Sequence, residues 1–236
     1  MKALILAAGL GTRLMPLTST TPKALVKVNG MTLLEITVRK LAAAGFNEII
    51  VNVHHHANQV IDFLNGFLIP GTYIAISDET EQLLDTGGAI LKARWFLDGK
   101  EPFLVHNVDV ISNTSLHQLH SDHINRRALA TLSVMERQTR RYFLFDRDLR
   151  LCGWTDTSTG ETRWVDKPDP EAKKLAFSGI HMISPEIFNV LEEKGRFSVI
   201  DSYLKLAPAF PVYGSAEEGL TWFDLGKPEQ IDVVSK

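Results

Sequence analysis

The chain has 236 residues, 44% of them hydrophobic and 22% charged. That is globular composition, long enough for one large or two small core-bearing units. Its 25 Lys and Arg stand against 28 Asp and Glu for a net charge of −3, which excludes the general basic footprint of a nucleic-acid binder. The only cysteine is Cys152, so no internal disulfide forms and a secreted disulfide scaffold is excluded. No apolar run reaches the ~20 residues that span a bilayer, so no membrane role is expected. The N-terminal Lys2 and apolar run resemble a secretion signal, but Gly9 to Arg13 follow where a small-residue cleavage site belongs. The expected compartment is the cytoplasm.

In chain order, residues 2–7 form a near-continuous apolar run, the pattern of a parallel strand covered on both faces. Residues 33–44 place Leu33, Leu34, Ile36, Val38 and Leu41 among charges, predicting an amphipathic helix closed by Gly45. A β-branched strand at 48–53 follows, then a short helix at 57–64, a strand at 73–77, a helix at 87–96 and a strand at 102–107. Strands alternating with helices predict an α/β chain with a mostly parallel sheet and helices on both faces. After residue 128 the rhythm becomes β-rich. Strands are expected at 128–135, 142–145, 149–154, 161–165 and 176–183. Helices are expected at 185–193, with Pro185 in the first turn, and at 198–206; short strands follow at 210–213 and 220–223. No linker divides the chain, so it reads as one unit, 1–236, with an alternating half to about residue 127 and a small β-rich lobe from about 128 to 236.

The segment from Ala7 to Lys23 carries the strongest chemical signal. Ala7, Ala8, Gly9 and Gly11 are small enough for backbone N–H groups to approach a ligand. Arg13 adds a planar cation suited to paired phosphate contacts, and Lys23, restrained by Pro22, adds a second. This is the physics of a polyphosphate clamp. Gly9 and Gly11 are also half of a dinucleotide fingerprint, but Leu14 stands where the third glycine belongs, and no P-loop pattern is present. On glycines alone, a plain turn with surface cations explains the segment as well.

Gly-x-Gly-Thr12-Arg13-Leu-x-Pro-Leu-Thr18 followed by Pro22-Lys23-x-Leu25 resembles the signature of the sugar-1-phosphate nucleotidyltransferases. The resemblance implies a Rossmann-like mixed, mostly parallel sheet, nucleotide binding in the half to about residue 127, sugar binding in the β-rich lobe from about 128 to 236, and transfer of a nucleotidyl group from an NTP to a sugar 1-phosphate. It implies nucleotide-binding roles for Ala8, Gly9, Gly11 and Thr12, and catalytic roles for Arg13 and Lys23. Phosphoryl-type transfer calls for Mg²⁺ on one or two carboxylates. Asp109 ends the apolar strand 102–107, where open α/β sheets place ligands; the family's usual glycine before it is Val108. Asp224, in Trp222-Phe-Asp224-Leu-Gly226-Lys227-Pro-Glu, is similar to the family's second acidic segment, with Lys227 in place of Thr. Either Asp taken alone is also an ordinary turn residue. Together they are the expected metal pair, and Asp109 is also assigned a catalytic role.

Thr86 is expected to cap the helix that Gly87 and Gly88 begin, and the two glycines to give a planar base close access; the resemblance adds Gln82 as a base contact. Asp166-Lys167-Pro168 is similar to the family's Glu-Lys-Pro, implying that Asp166 holds sugar hydroxyls and Lys167 the sugar phosphate. Gly179 falls on the strand that flanks the sugar in the family. His54, His55 and His56 lack a zinc spacing and read as solvated loop residues. Arg137, Arg140 and Arg141 form a basic cluster that is either surface or an aid to holding an anionic substrate. No repeat domain follows, so a bifunctional acetyltransferase is not expected. The pattern resembles most closely the small uridylyltransferases acting on N-acetylmuramate 1-phosphate. Mannose-1-phosphate guanylyltransferase and phosphocholine cytidylyltransferase remain as alternatives, with a catalytically silent nucleotide-binding module and a Rossmann oxidoreductase from other classes. Oligomeric state is left open.

Overall fold

A computed structural model describes residues 1–234. The first strand, β1 (Lys2–Leu6), runs into three single-turn 3₁₀ segments, Thr12–Leu14, Leu17–Ser19 and Lys23–Leu25. Strands β2 (Lys27–Val28) and β3 (Met31–Thr32) form a hairpin, its turn made by Asn29 and Gly30 at φ 51° and 83°, as a primed two-residue turn demands. Thr32 then caps α1 (Leu33–Ala43), its Oγ1 accepting the Glu35 N–H at 3.0 Å. The alternation continues through β4 (Glu48–Val53), α2 (Ala57–Gly66), β5 (Tyr73–Asp78), α3 (Asp85–Lys92), α4 (Arg94–Leu97) and β6 (Phe103–Asn107). Next come β7 (Val110–Ser112), α5 (Leu116–Asn125), β8 (Ala130–Met135), β9 (Arg141–Phe145), β10 (Leu151–Asp156), β11 (Glu161–Trp164) and β12 (Lys173–Ile183). The chain closes with α6 (Ile187–Val190), α7 (Val199–Leu206), β13 (Val212–Ala216), β14 (Trp222–Asp224) and α8 (Pro228–Val234).

These strands make the expected mixed sheet. β5, β4, β1 and β6 lie side by side and parallel. β12 runs antiparallel to β6 and to β8, and β13 is parallel to β8. The first residues of β12 instead pair with β9, which continues into β10 and β11 as the antiparallel lobe. Alternate residues explain the apolar runs. Ala3, Ile5, Ile49 and Val51 enter the core beneath α1 and α2, whereas Leu4 and Ile50 enter the core beneath α3, α4 and α7. Both faces are buried, so these strands lack a polar side.

Several boundaries differ from expectation. The helix expected at 87–96 begins at Asp85 and breaks at Ala93 into α3 and α4. The one expected at 185–193 shrinks to α6, because Leu191 turns extended and Gly195, at φ 70°, swings the chain back onto α3. α5 was not among the expected helices; Ser115 caps it, with Oγ accepting the Gln118 N–H at 3.2 Å, and it buries Leu116, Leu119 and His123.

Candidate active site

The parallel strands end together. In register, Leu6 pairs with Asn52 on one side and Asn107 on the other. That carboxyl edge is where an α/β sheet opens a crevice. A hollow of about 290 Å³ lies there, lined among others by Ala8, Gly9, Lys23, Thr86, Asp109 and Arg196. Its floor is organised by Asn52, which sequence reasoning missed. The Asn52 Oδ1 accepts the N–H groups of Ala7 and Ala8 at 2.6 and 3.2 Å, and its Nδ2 donates to Glu79 Oε1 at 2.8 Å. Glu79, fully buried, also accepts the Leu84 N–H at 3.1 Å. The expected amide clamp is thereby corrected at Ala7 and Ala8: both N–H groups are already spent inside the protein. Ala8 and Gly9 still line the hollow, and Gly9 has open space beside it. The signal for this network was an Asn interrupting an otherwise apolar buried strand.

Gly11 sits at φ 65°, where a Cβ would press on Thr18 and Lys23. Its carbonyl accepts from Thr18 Oγ1 at 2.8 Å and from the Leu14 N–H at 2.9 Å. The turn this creates leaves Thr12 and Arg13 exposed and outside the wall of the hollow. Arg13 reaches Asp224 with both terminal nitrogens, Nη1 to Oδ2 at 2.9 Å and Nη2 to Oδ1 at 3.4 Å, and approaches Asp109 at 3.9 Å. Lys23, largely buried, pairs with Asp109.

The two carboxylates meet because β14 pairs antiparallel with β7, setting Asp224 opposite Val110, and the Leu225 N–H donates to the Asp109 carbonyl at 2.8 Å. Burial pushes the Asp224 carboxyl upward, but the Arg13 hydrogen bond and charge, the Gly226 N–H and Lys23 outweigh it and hold the group below its ordinary value. A Cβ at Gly226 would meet the tips of Arg13, Lys23 and Asp224, so the glycine leaves room for the charge cluster to close. Val108 turns its side chain into the core and gives its N–H to the Leu6 carbonyl at 3.1 Å, so Asp109 keeps its place at the hollow.

Other expected positions fall elsewhere. The close approach assigned to a base at Gly87 and Gly88 is taken by the protein itself. A Cβ at Gly87 would collide with the Phe197 ring and one at Gly88 with the Gly195 carbonyl, and the Gly87 N–H donates to the Phe197 carbonyl at 3.0 Å. Thr86 does not cap α3; its Oγ1 accepts the Val199 N–H at 3.0 Å. Gln82 is exposed and outside the lining. Asp166 and Lys167 border a separate depression with Arg150, Cys152 and Pro208. Gly179, at φ 85°, packs against Asn107 and Val110 beside the hollow. His54 Nδ1 bonds the Glu79 carbonyl at 2.7 Å and His56 Nε2 the Ser19 carbonyl at 3.2 Å, which makes them loop braces. Arg137, Arg140 and Arg141 line a second hollow, of about 510 Å³, that shares Arg13 and Asp224 with the charge cluster. Among the described residues no group of three or more His, Cys, Asp or Glu side chains is arranged to hold a metal.

Residues 2–235 match the family described as Nucleotidyl transferase. The chain belongs to that family. It is 34% identical over 236 residues to the N-acetylmuramate alpha-1-phosphate uridylyltransferase of Caulobacter vibrioides, covering 96% of this chain and 92% of that protein. The Neisseria meningitidis enzyme of the same description is 35% identical, with 96% and 93% covered. Mannose-1-phosphate guanylyltransferase 1 of Arabidopsis thaliana is 30% identical, but this chain spans only 62% of its length. Among solved structures, a putative glucose-1-phosphate thymidylyltransferase from Bacillus anthracis superposes with TM-score 0.81 at 18% identity, covering 100% of this chain and 94% of that one. HddC from Yersinia pseudotuberculosis complexed with GMP-PN gives 0.77 at 21%, covering 99% and 97%. At those identities the likeness is one of fold. No helix among the described residues is long and apolar enough to cross a membrane.

Proposed function

We propose that this chain transfers a nucleotidyl group from an NTP to a sugar 1-phosphate, with UTP and N-acetylmuramate 1-phosphate as the substrate pair. The observation that carries the reading is the charge cluster itself: Arg13 and Lys23 from the amino end closing on Asp109 and Asp224. Two hollows meet at this cluster. The one bordered by Ala8, Gly9 and Thr86 is the donor side, and the one bordered by Trp222 and Arg137 is the acceptor side. The choice of pair follows the two uridylyltransferase relatives, matched over nearly their whole length.

An acceptor phosphate oxygen attacks the α-phosphorus in line, the bond to the β-phosphate breaks, and pyrophosphate leaves. The attacking phosphate is already ionised, so the chain needs no nucleophile of its own. Its residues align the two phosphates and offset their charge. Arg13 and Lys23 are the cations that exchange carboxylate partners for phosphate oxygens. Two carboxylates without a third ligand suit Mg²⁺, which keeps waters and substrate oxygens in its shell; Asp109 and Asp224 would hold it. When bound, the ion neutralises phosphate charge in the transition state.

A pyrophosphate-release screen crossing four NTPs with several sugar 1-phosphates, with and without Mg²⁺, tests this. The expected result is metal-dependent release with UTP and N-acetylmuramate 1-phosphate. Release with mannose 1-phosphate and GTP instead would reassign the pair, and no release with any pair would overturn the reading.

A further inference from the structure

The acceptor-side hollow is more cationic than one sugar phosphate requires. Arg13, Arg137, Arg140, Arg141 and Lys227 border it, and Asp224 is the one carboxylate among its lining residues. Arg13 is committed to Asp224, and Arg141 donates from Nε to Asp156 at 3.1 Å. Arg137 lies over the Trp222 ring, 4.0 Å from its centroid, and donates to the Phe177 carbonyl at 3.1 Å. Its Nε is buried without a protein partner. Arg140 and Lys227 have no side-chain hydrogen bond or ion pair among the described residues.

The loop that presents these arginines is braced. The Thr139 N–H donates to Tyr142 Oη at 3.0 Å, and the Arg140 carbonyl accepts from the N–H and Oγ1 of Thr157 at 2.7 and 3.1 Å. The Arg137 guanidinium is therefore held in place by Trp222 and the Phe177 carbonyl, and Arg137, Arg140 and Lys227 make no ion pair with a carboxylate among the described residues. Burial lowers the pKa of Arg137 against the opposing pull of Asp224, and a guanidinium stays charged throughout the physiological range.

The phosphate that attacks must sit at the Asp109 and Asp224 end. Arg137 lies over Trp222, and Arg140 and Lys227 line the same hollow, within reach of the sugar's substituents. We propose that Arg137, Arg140 and Lys227 read a second oxyanion on the acceptor, a carboxylate carried by the sugar, so that acidic sugar 1-phosphates are selected over neutral ones. A guanidinium stacked on an indole keeps its edge N–H groups in one plane, the geometry that meets a carboxylate in pairs. A neutral sugar in the same place lacks this contact, and the difference between the two is the discrimination. The inference rests on the nucleotidyl-transfer reading, from which it takes the acceptor's orientation.

The test compares matched acceptors, glucose 1-phosphate with glucuronate 1-phosphate and N-acetylglucosamine 1-phosphate with N-acetylmuramate 1-phosphate. Calorimetric binding and pyrophosphate release are both measured on the wild type, Arg140→Gln and Lys227→Gln. In the wild type at least one acidic member should bind about tenfold or more tighter than its neutral partner, one charge-assisted hydrogen bond being worth about that factor. Each variant should remove most of that ratio through KM, leaving kcat and the neutral acceptors unchanged. Equal binding of both members in both pairs, or variants that weaken neutral and acidic acceptors alike, would overturn the inference. Acid-selective binding without pyrophosphate release under any NTP would keep the anion site and sink the reaction instead.

Discussion

Asn52 shows how one side chain fixes a site it does not chemically serve. Its amide oxygen holds two successive backbone N–H groups at the end of β1, and its amide nitrogen holds Glu79. Truncation strands all three inside the protein, at about 1–3 kcal/mol for each unsatisfied group before any water enters. Asn52→Ala should therefore lower stability by about 2–4 kcal/mol, read as a lower urea midpoint at unchanged slope; a stability loss under about 0.5 kcal/mol would contradict the bracing role. The residue scale is also where the sequence was most and least informative. Arg13, Lys23, Asp109 and Asp224 were legible because their chemistry travels with short ordered motifs. That the Ala8 N–H is already bonded was not legible, because the Asn52 amide that accepts it sits on a neighbouring strand and no local pattern announces that pairing.

At the scale of elements, α3 and the 195–197 turn form one device. Two adjacent glycines are used so that a second chain segment can lie directly on the helix, with Phe197 over Gly87 and the Gly195 carbonyl over Gly88. Gly87→Ala should cost about 1–3 kcal/mol by overpacking, read by thermal unfolding. Adding Phe197→Ala should cost less than it does alone, a coupling expected of groups in contact; strictly additive losses would contradict the packing. The alternation of strands and helices in the first half was readable because strands buried on both faces are continuously apolar. The shortened α6 was not, because its end is dictated by the return of the chain to α3, a contact distant in sequence. The convergence of Asp109 and Asp224 belongs to this scale too, since it depends on β14 finding β7.

For the molecule as a whole, buried histidines set the acid limit of stability. Burial pushes His106 and His181 down to about 3, with the charges of Lys40 and of His106 adding to it respectively, and pushes His123 to about 4 with help from His120. Unfolded, each takes up a proton near pH 6.5. Below that value the unfolded chain binds more protons than the folded one, so stability is complete above about pH 6.5 and falls as pH drops towards 4. Each histidine forfeits roughly 1.4 kcal/mol per pH unit in that window. Unfolding at pH 5.5 should show a folded state about 4 kcal/mol less stable than at pH 7.5; a flat profile would show that these groups charge in place.

The central claim is that phosphate chemistry occurs where two cations from the amino end meet Asp109 and Asp224. Replacing Asp109 by Asn keeps the side chain's size and removes its charge. Pyrophosphate release from UTP and N-acetylmuramate 1-phosphate, measured with Mg²⁺ on wild type and Asp109→Asn side by side with circular dichroism, is the most direct test. The account predicts an active wild type and a folded variant slowed by about 100-fold or more; a folded variant turning over at the wild-type rate would contradict it.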